Sequence, residues 1–192
     1  MGMITTLRKQ RQEPPADVID MLFACHDRIR RLARLAERVS GAHDFPAIEI
    51  QQAAYSLVRY FRHALPLHAQ DEDLTLRPRL HEIELGKDVR EALVRMSDEH
   101  DVIDRLLEPL FPCWEKLASD GSALSRMPSG FAADATRLRK QLDAHLALEE
   151  ETIFPALRRY LSADSEAVIA REMRARRAGS GPEVRLADEA GG

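Results

Sequence analysis

Two segments of this chain repeat one pattern. A histidine is followed four residues later by a glutamate, then by a second acid, and at the tenth position by a proline. The segments run from His68 through Glu72 and Asp73 to Pro78, and from His145 through Glu149 and Glu150 to Pro155. On a helix, residues four apart are neighbours on one face. Each segment therefore sets an imidazole beside a carboxylate. One such pair is common in a helix-rich chain. Two copies with the same tail restrict the fold to one in which two helices bring these faces together.

The surrounding sequence is helical by periodicity. Val18, Met21, Leu22, Cys25, Ile29, Leu32, Leu35, Ala36 and Val39 step by three or four, the stripe of an amphipathic helix. A second stripe follows Pro46 through Ala54, Leu57, Val58, Phe61 and Leu65, with Pro66 predicting a kink and Pro78 an end. A third runs from Asp88 through Leu93, Met96, Ile103 and Leu110, bending near Pro109 and Pro112. Ser119–Gly130 reads as a loop, and a fourth stripe spans 131–160. The expected architecture is all-α: an antiparallel up-down four-helix bundle over 16–162 with a short extra C-terminal helix over 163–177. Residues 1–15 read as an N-terminal arm and 178–192 as a disordered tail.

Composition agrees. Of 192 residues, 44% are hydrophobic and only 5% aromatic, with Leu, Ala, Arg and Glu dominating, a mixture that favours helix over sheet. The net charge of −4 carries no long basic block, so no nucleic-acid partner is expected. The basic stretch from Arg171 to Arg177 reads as the cationic end of a helix dipole. Two cysteines, Cys25 and Cys113, make no disulfide framework, and there is no signal peptide and no apolar run long enough to span a bilayer. A cytoplasmic protein without a membrane partner is expected.

The other two helices each place a histidine on the inward stripe: His26 between Leu22 and Ile29, and His100 between Met96 and Ile103. The chain thus reads as two helix pairs, each contributing one His and then one His-x-x-x-Glu, an internal pseudo-repeat. In a bundle such groups converge on a central site. A lone histidine on an apolar stripe is most often a hydrogen-bonded core residue. Four of them with two carboxylates would cost several kcal/mol per buried ion without compensation, roughly by the usual desolvation scale. A dication removes that cost. His26, His68, Glu72, His100, His145 and Glu149 are the expected metal ligands. Mixed imidazole and carboxylate donors, more than four in number, suit iron or manganese better than structural zinc, though zinc fits as well. Two bridging glutamates would give each of two metals two histidines and two carboxylate oxygens, leaving positions open for oxygen or nitric oxide.

His26, the Pro66–Glu72 stretch, Glu99-His100, and His145 through Glu149, Glu150, Glu151 and Ile153 to Pro155 resemble the hemerythrin-like, HHE cation-binding family over about residues 18–160. The resemblance implies a four-helix bundle with a non-haem di-iron centre, oxo- or hydroxo-bridged. In it His26, His68, His100 and His145 are terminal ligands and Glu72 and Glu149 are bridges. Oxygen-carrying hemerythrins have a second histidine one turn after the third-helix ligand, and here Asp104 stands there. Ligation, a hydrogen bond to a ligand and plain solvent exposure are all open for Asp104. The departure argues against simple oxygen carriage and toward the bacterial branch associated with oxygen or nitric-oxide sensing, peroxide handling or iron-centre repair. The expected partner is a small diatomic ligand or peroxide. A peroxidase-like or nitric-oxide-reducing enzyme and a helical interaction module with a structural metal are the alternatives. Oligomeric state is not legible.

Among the remaining residues, His63 lies about 140° around the helix from His68 and reads as surface or second-sphere. His43 and His81 read as solvated. Cys25 reads as a small core residue, with a redox role as the sharper alternative. Asp71, Asp73, Glu150 and Glu151 read mostly as a solvated face from which one acid could orient a ligand histidine. Tyr55, Tyr60 and Trp114 either line a pocket or pack.

Overall fold

The computed structural model describes residues 17–41 and 45–179. The N-terminal arm and His43 lie outside this range, as does the tail beyond Gly179. The described residues are all-helical. Helix α1 (Val18–Ser40) begins where Asp17 accepts a hydrogen bond from the Asp20 amide at 2.7 Å, and ends at Gly41, whose N–H returns to Glu37 and Val39. A helical run, α2, covers residues 47–81. Helices α3 (Lys87–Leu107) and α4 (Leu110–Ser119) are separated at Pro109. A helical run over 131–160 forms α5, and α6 is Ala163–Gly179.

Two differences from expectation concern the prolines and the loop after α4. Pro66 and Pro78 do not break α2. Each is preceded by a π-helical turn, Tyr60–Ala64 and Asp71–Leu76, and the same device, Glu149–Ile153, precedes Pro155 in α5. In each turn the residue just before the proline donates to a carbonyl five residues back: Leu65 to Tyr60, Arg77 to Glu72, Phe154 to Glu149. Proline lacks an N–H and its ring crowds the preceding turn, and the wider turn accommodates both. The loop after α4 holds a 3-10 turn, Gly121–Arg126, capped by Asp120. It sits so close to α2 that any side chain at Gly121 would strike the Ala47 carbonyl. The C-terminal helix starts at Ala163 as expected and runs through Gly179, two residues past the expected end.

The core is divided in two. One apolar cluster gathers Ile29, Ala33, Leu57, Phe61, Ile103, Trp114, Leu138 and Leu142. The other gathers Ile19, Leu22, Leu76, Leu93, Met96, Ile153, Leu157 and Ile169. Each of α1, α2, α3 and α5 passes from one cluster to the other, and the order reverses from one to the next. In α1 the sequence runs Leu22 then Ile29; in α2, Leu65 then Leu76; in α3, Met96 then Ile103; in α5, Leu142 then Ile153. On every one the crossing point is a polar residue expected at the site: His26, His68 with Glu72, His100, and His145 with Glu149. The polar layer is a waist between two apolar cores.

Tyr60 and Trp114 are buried in the first cluster, Trp114 stacked on Phe61 with ring centroids 5.4 Å apart, while Tyr55 is exposed. None of the three lines the waist.

Candidate metal centre

The structure brings all six expected residues together. His26, His68, Glu72, His145 and Glu149 are buried, and His100 is half-buried. They form two quartets, His26 with His68, Glu72 and Glu149, and His100 with His145, Glu72 and Glu149. In each quartet one donor atom per residue lies within 4.8 Å of every other. Both glutamates belong to both quartets. Glu149 reaches His26 with one oxygen and His145 with the other, each at 3.0 Å. Glu72 reaches His68 at 3.0 Å and His100 at 3.1 Å in the same divided manner. Within each quartet the imidazoles stand edge to face, 5.1 Å between the centroids of His26 and His68 and 4.9 Å between those of His100 and His145.

These atoms are close without satisfying one another. Nε2 of His26, Nε2 of His68, Oε1 of Glu72 and both carboxylate oxygens of Glu149 are buried and make no aligned hydrogen bond. Buried polar atoms are normally paired, and orphaned ones cost roughly 1–3 kcal/mol each. Here they point into a shared space, the arrangement expected of donors around a cation. The donor set fits a metal ion in each quartet: two imidazole nitrogens and two carboxylate oxygens.

Charge argues the same way. Burial and the neighbouring Glu149 push the Glu72 carboxyl up to about 7. Burial also opposes charge on Glu149, but His145 and His26 outweigh it and hold that carboxyl well below its usual range. The two buried carboxylates are thus driven in opposite directions, Glu72 toward the protonated form and Glu149 toward the ionised one. His68 is held neutral, first by burial and then by the neighbouring His26. His100 is raised to about 10; burial works against it, and Asp73 and Glu72 more than compensate.

A second ring of acids stands behind the imidazoles. Asp73 on α2 accepts from Nδ1 of His100 on α3 at 2.8 Å. Glu99 on α3 accepts from Nδ1 of His145 on α5 at 3.1 Å. Glu150 on α5 accepts from Nδ1 of His26 on α1 at 2.7 Å. These bonds direct the opposite nitrogen, Nε2, into the waist. Each acid is itself held: Asp73 by Ser97 at 2.9 Å, Glu99 by Arg95 at 2.7 Å, and Glu150 by both nitrogens of Arg30 at 2.8 Å. Asp73 and Glu150 are thus braces rather than a solvated face, whereas Glu151 is exposed. Glu99 was not singled out by helical spacing, because it serves a histidine on another helix. Its sequence signal is adjacency: each of the three braces is the immediate neighbour of a quartet residue.

Asp71 has a different partner. It is fully buried and ion-paired with Arg176 and with Arg177, the latter at 2.6 Å. Arg176 also donates to Thr75 at 2.9 Å, and Arg177 contacts the half-buried Cys25 sulfur at 3.6 Å. The basic end of α6 therefore does more than offset a helix dipole. It anchors α6 on the π turn that carries Glu72.

A cavity of about 320 Å³ opens beside the waist between α2 and α3. His68, His100 and His145 border it, with an apolar wall that includes Ile29, Leu65 and Leu142. Asp104 belongs to neither quartet; it is exposed and lies at the rim of this cavity with Asp101. His63 and His81 also stand outside both quartets.

The family model described as the hemerythrin HHE cation-binding domain matches residues 17–157, and a second match covers 96–176. The chain belongs to the hemerythrin HHE cation-binding family. The name of this hemerythrin family states cation binding, and the two quartets lie within the matched residues. A relative from Haemophilus influenzae, described as an uncharacterized protein, is 26% identical over 168 residues, covering 83% of this chain and 89% of the relative. No solved structure matches. Among the described residues, no helix is long and apolar enough to cross a membrane.

Proposed function

We propose that this hemerythrin-family chain is a non-haem di-iron protein that binds or senses oxygen, nitric oxide or peroxide. The observation that carries this reading is the sharing of Glu72 and Glu149 between two quartets. In it, His26 and His68 would hold one ion, His100 and His145 the second, and Glu72 and Glu149 would serve both. The alternating passage of α1, α2, α3 and α5 between the two apolar clusters supports the up-down four-helix form of the bundle.

When bound, a pair of irons supplies redox-active centres with positions open to a small exogenous ligand. The chain supplies the rest. Ile29, Leu65 and Leu142 give the cavity beside the waist an apolar wall. Asp73, Glu99 and Glu150 fix the tautomers of three ligands, and the two glutamates neutralise charge without needing a proton. With Asp104 at the rim rather than among the donors, His26 with His68 and His100 with His145 would give each of two ions two imidazoles.

The test is the iron content of freshly purified protein and its absorption change on exposure to oxygen, nitric oxide or peroxide, with His145→Ala beside it. About two irons per chain, a response to one of these ligands, and loss of both properties in the variant are expected. A redox-inert metal with no spectral response would favour the structural-metal alternative. Multiple turnovers with added reductant would favour an enzyme.

A further inference from the structure

The bracing acids form a cycle with one step missing. Asp73 on α2 braces His100 on α3, Glu99 on α3 braces His145 on α5, and Glu150 on α5 braces His26 on α1. The fourth step would run from α1 to His68 on α2. The two neighbours of His26 that would supply it are otherwise disposed: Asp27 is exposed, and Cys25 contacts Arg177. Nδ1 of His68 is buried without a hydrogen-bond partner among the described residues.

The backbone under His68 is also distinct. His68 sits on Leu65–Gln70, six α-helical residues between two π turns, with Pro66 in its first turn. Its counterpart His145 sits near the end of the continuous α-helix Phe131–Leu148 and has a π turn on one side only. Leu65, Pro66, Ala69 and Gln70 form part of the cavity wall, so open space lies against the segment that carries His68. The same cavity borders His100 and His145, so what sets His68 apart is the missing brace and the short segment: an unbraced imidazole there can turn away from the waist at lower cost than a braced one.

From these observations we propose that the two metal positions are unequal, and that the ion held by His26 and His68 is the labile one, with His68 as the ligand that releases it. This rests on the di-iron reading above. The consequence is ordered loading and loss. The His100–His145 position fills first and empties last, and the chain passes through a state with a single ion. A hydrogen bond behind a ligand histidine typically changes metal affinity about 10- to 100-fold, which sets the separation expected between the two positions.

The experiment is anaerobic release of ferrous iron from the full chain, loaded with two equivalents, into excess chromophoric chelator. Two phases of one iron each, with rates about 10- to 100-fold apart, are expected. His68→Gln is expected to hold one iron that leaves at the slow wild-type rate, with helix content by circular dichroism unchanged. Asp73→Asn is expected to keep two irons and accelerate the slow phase, narrowing the gap. Release of both wild-type irons in one phase, survival of the fast phase in His68→Gln, or an unaltered slow phase in Asp73→Asn would each overturn the inference. Wild-type protein that takes up no iron would instead overturn the di-iron reading, so the two failures are distinguishable.

Discussion

The His26–His68 and His100–His145 halves of the waist use the same ligand types and the same two shared glutamates, yet they are not equally supported. In the His100–His145 half both imidazoles lean on carboxylates, Asp73 and Glu99. In the His26–His68 half only His26 does, through Glu150 and Arg30. The pseudo-repeat thus extends to the inner donors and to the supports Asp73 and Glu150, and breaks where Glu99 beside His100 has Cys25 beside His26 as its counterpart. Inner donors set which ion fits, and supports set how firmly each ligand is aimed. A chain can hold two chemically similar ions with different grip by changing only residues that never touch them.

The largest effect is expected where the halves do not differ. Glu149→Ala removes a donor from both quartets, so both ions should be lost. Metal analysis after gel filtration checks this, and retention of one ion would mean that the halves do not depend on a shared bridge. The next effect separates them. Glu150→Gln weakens the hold on His26 and Glu99→Gln that on His145, each lowering affinity about 10- to 100-fold at one position only. Competition titrations that found both ions weakened equally would remove the distinction between the halves.

Proton competition should be milder and graded. Glu72, pushed up to about 7, and His100, raised to about 10, must both give up protons when ions bind. Affinity should therefore fall as pH drops, most steeply below about 7 where both groups are displaced together. Dissociation constants measured from about pH 8 to about pH 5.5 check this. A flat profile would contradict ligation by these groups.

Two stability changes close the series. Arg177→Ala leaves the buried Asp71 short of a partner and should destabilise the fold by about 3 kcal/mol, read as a fall in melting temperature. The Arg62–Glu115 pair, about half-exposed on both sides, should contribute less than about 1 kcal/mol when either partner is replaced by alanine. Equal losses from these two changes would mean that α6 is not anchored through Asp71.

Much of this was legible in the sequence because it rests on local periodicity. Helical spacing placed His26, His68, Glu72, His100, His145 and Glu149 on inward stripes, and the doubled pattern paired them. What spacing could not supply was contact between helices. Glu99 lies about 100° from His100 around α3 and faces His145 on α5. Arg176 and Arg177 lie far along the chain from Asp71. Pro66 reads as a kink and Pro78 as an end because the usual rule assumes an α-helical turn before a proline, and the π turns ending two residues ahead of Pro66, Pro78 and Pro155 remove that assumption. Asp104, left open between three roles, is exposed at the cavity rim, a placement that periodicity alone does not fix.

The central claim is that Glu72 and Glu149 are shared by two metal positions. An anomalous difference map at the iron absorption edge, from crystals grown with ferrous iron, tests it most directly. The account predicts two peaks per chain, one between His26 and His68 and one between His100 and His145, both in contact with both glutamates. One peak centred between the four histidines, or no peak in the waist, would contradict it.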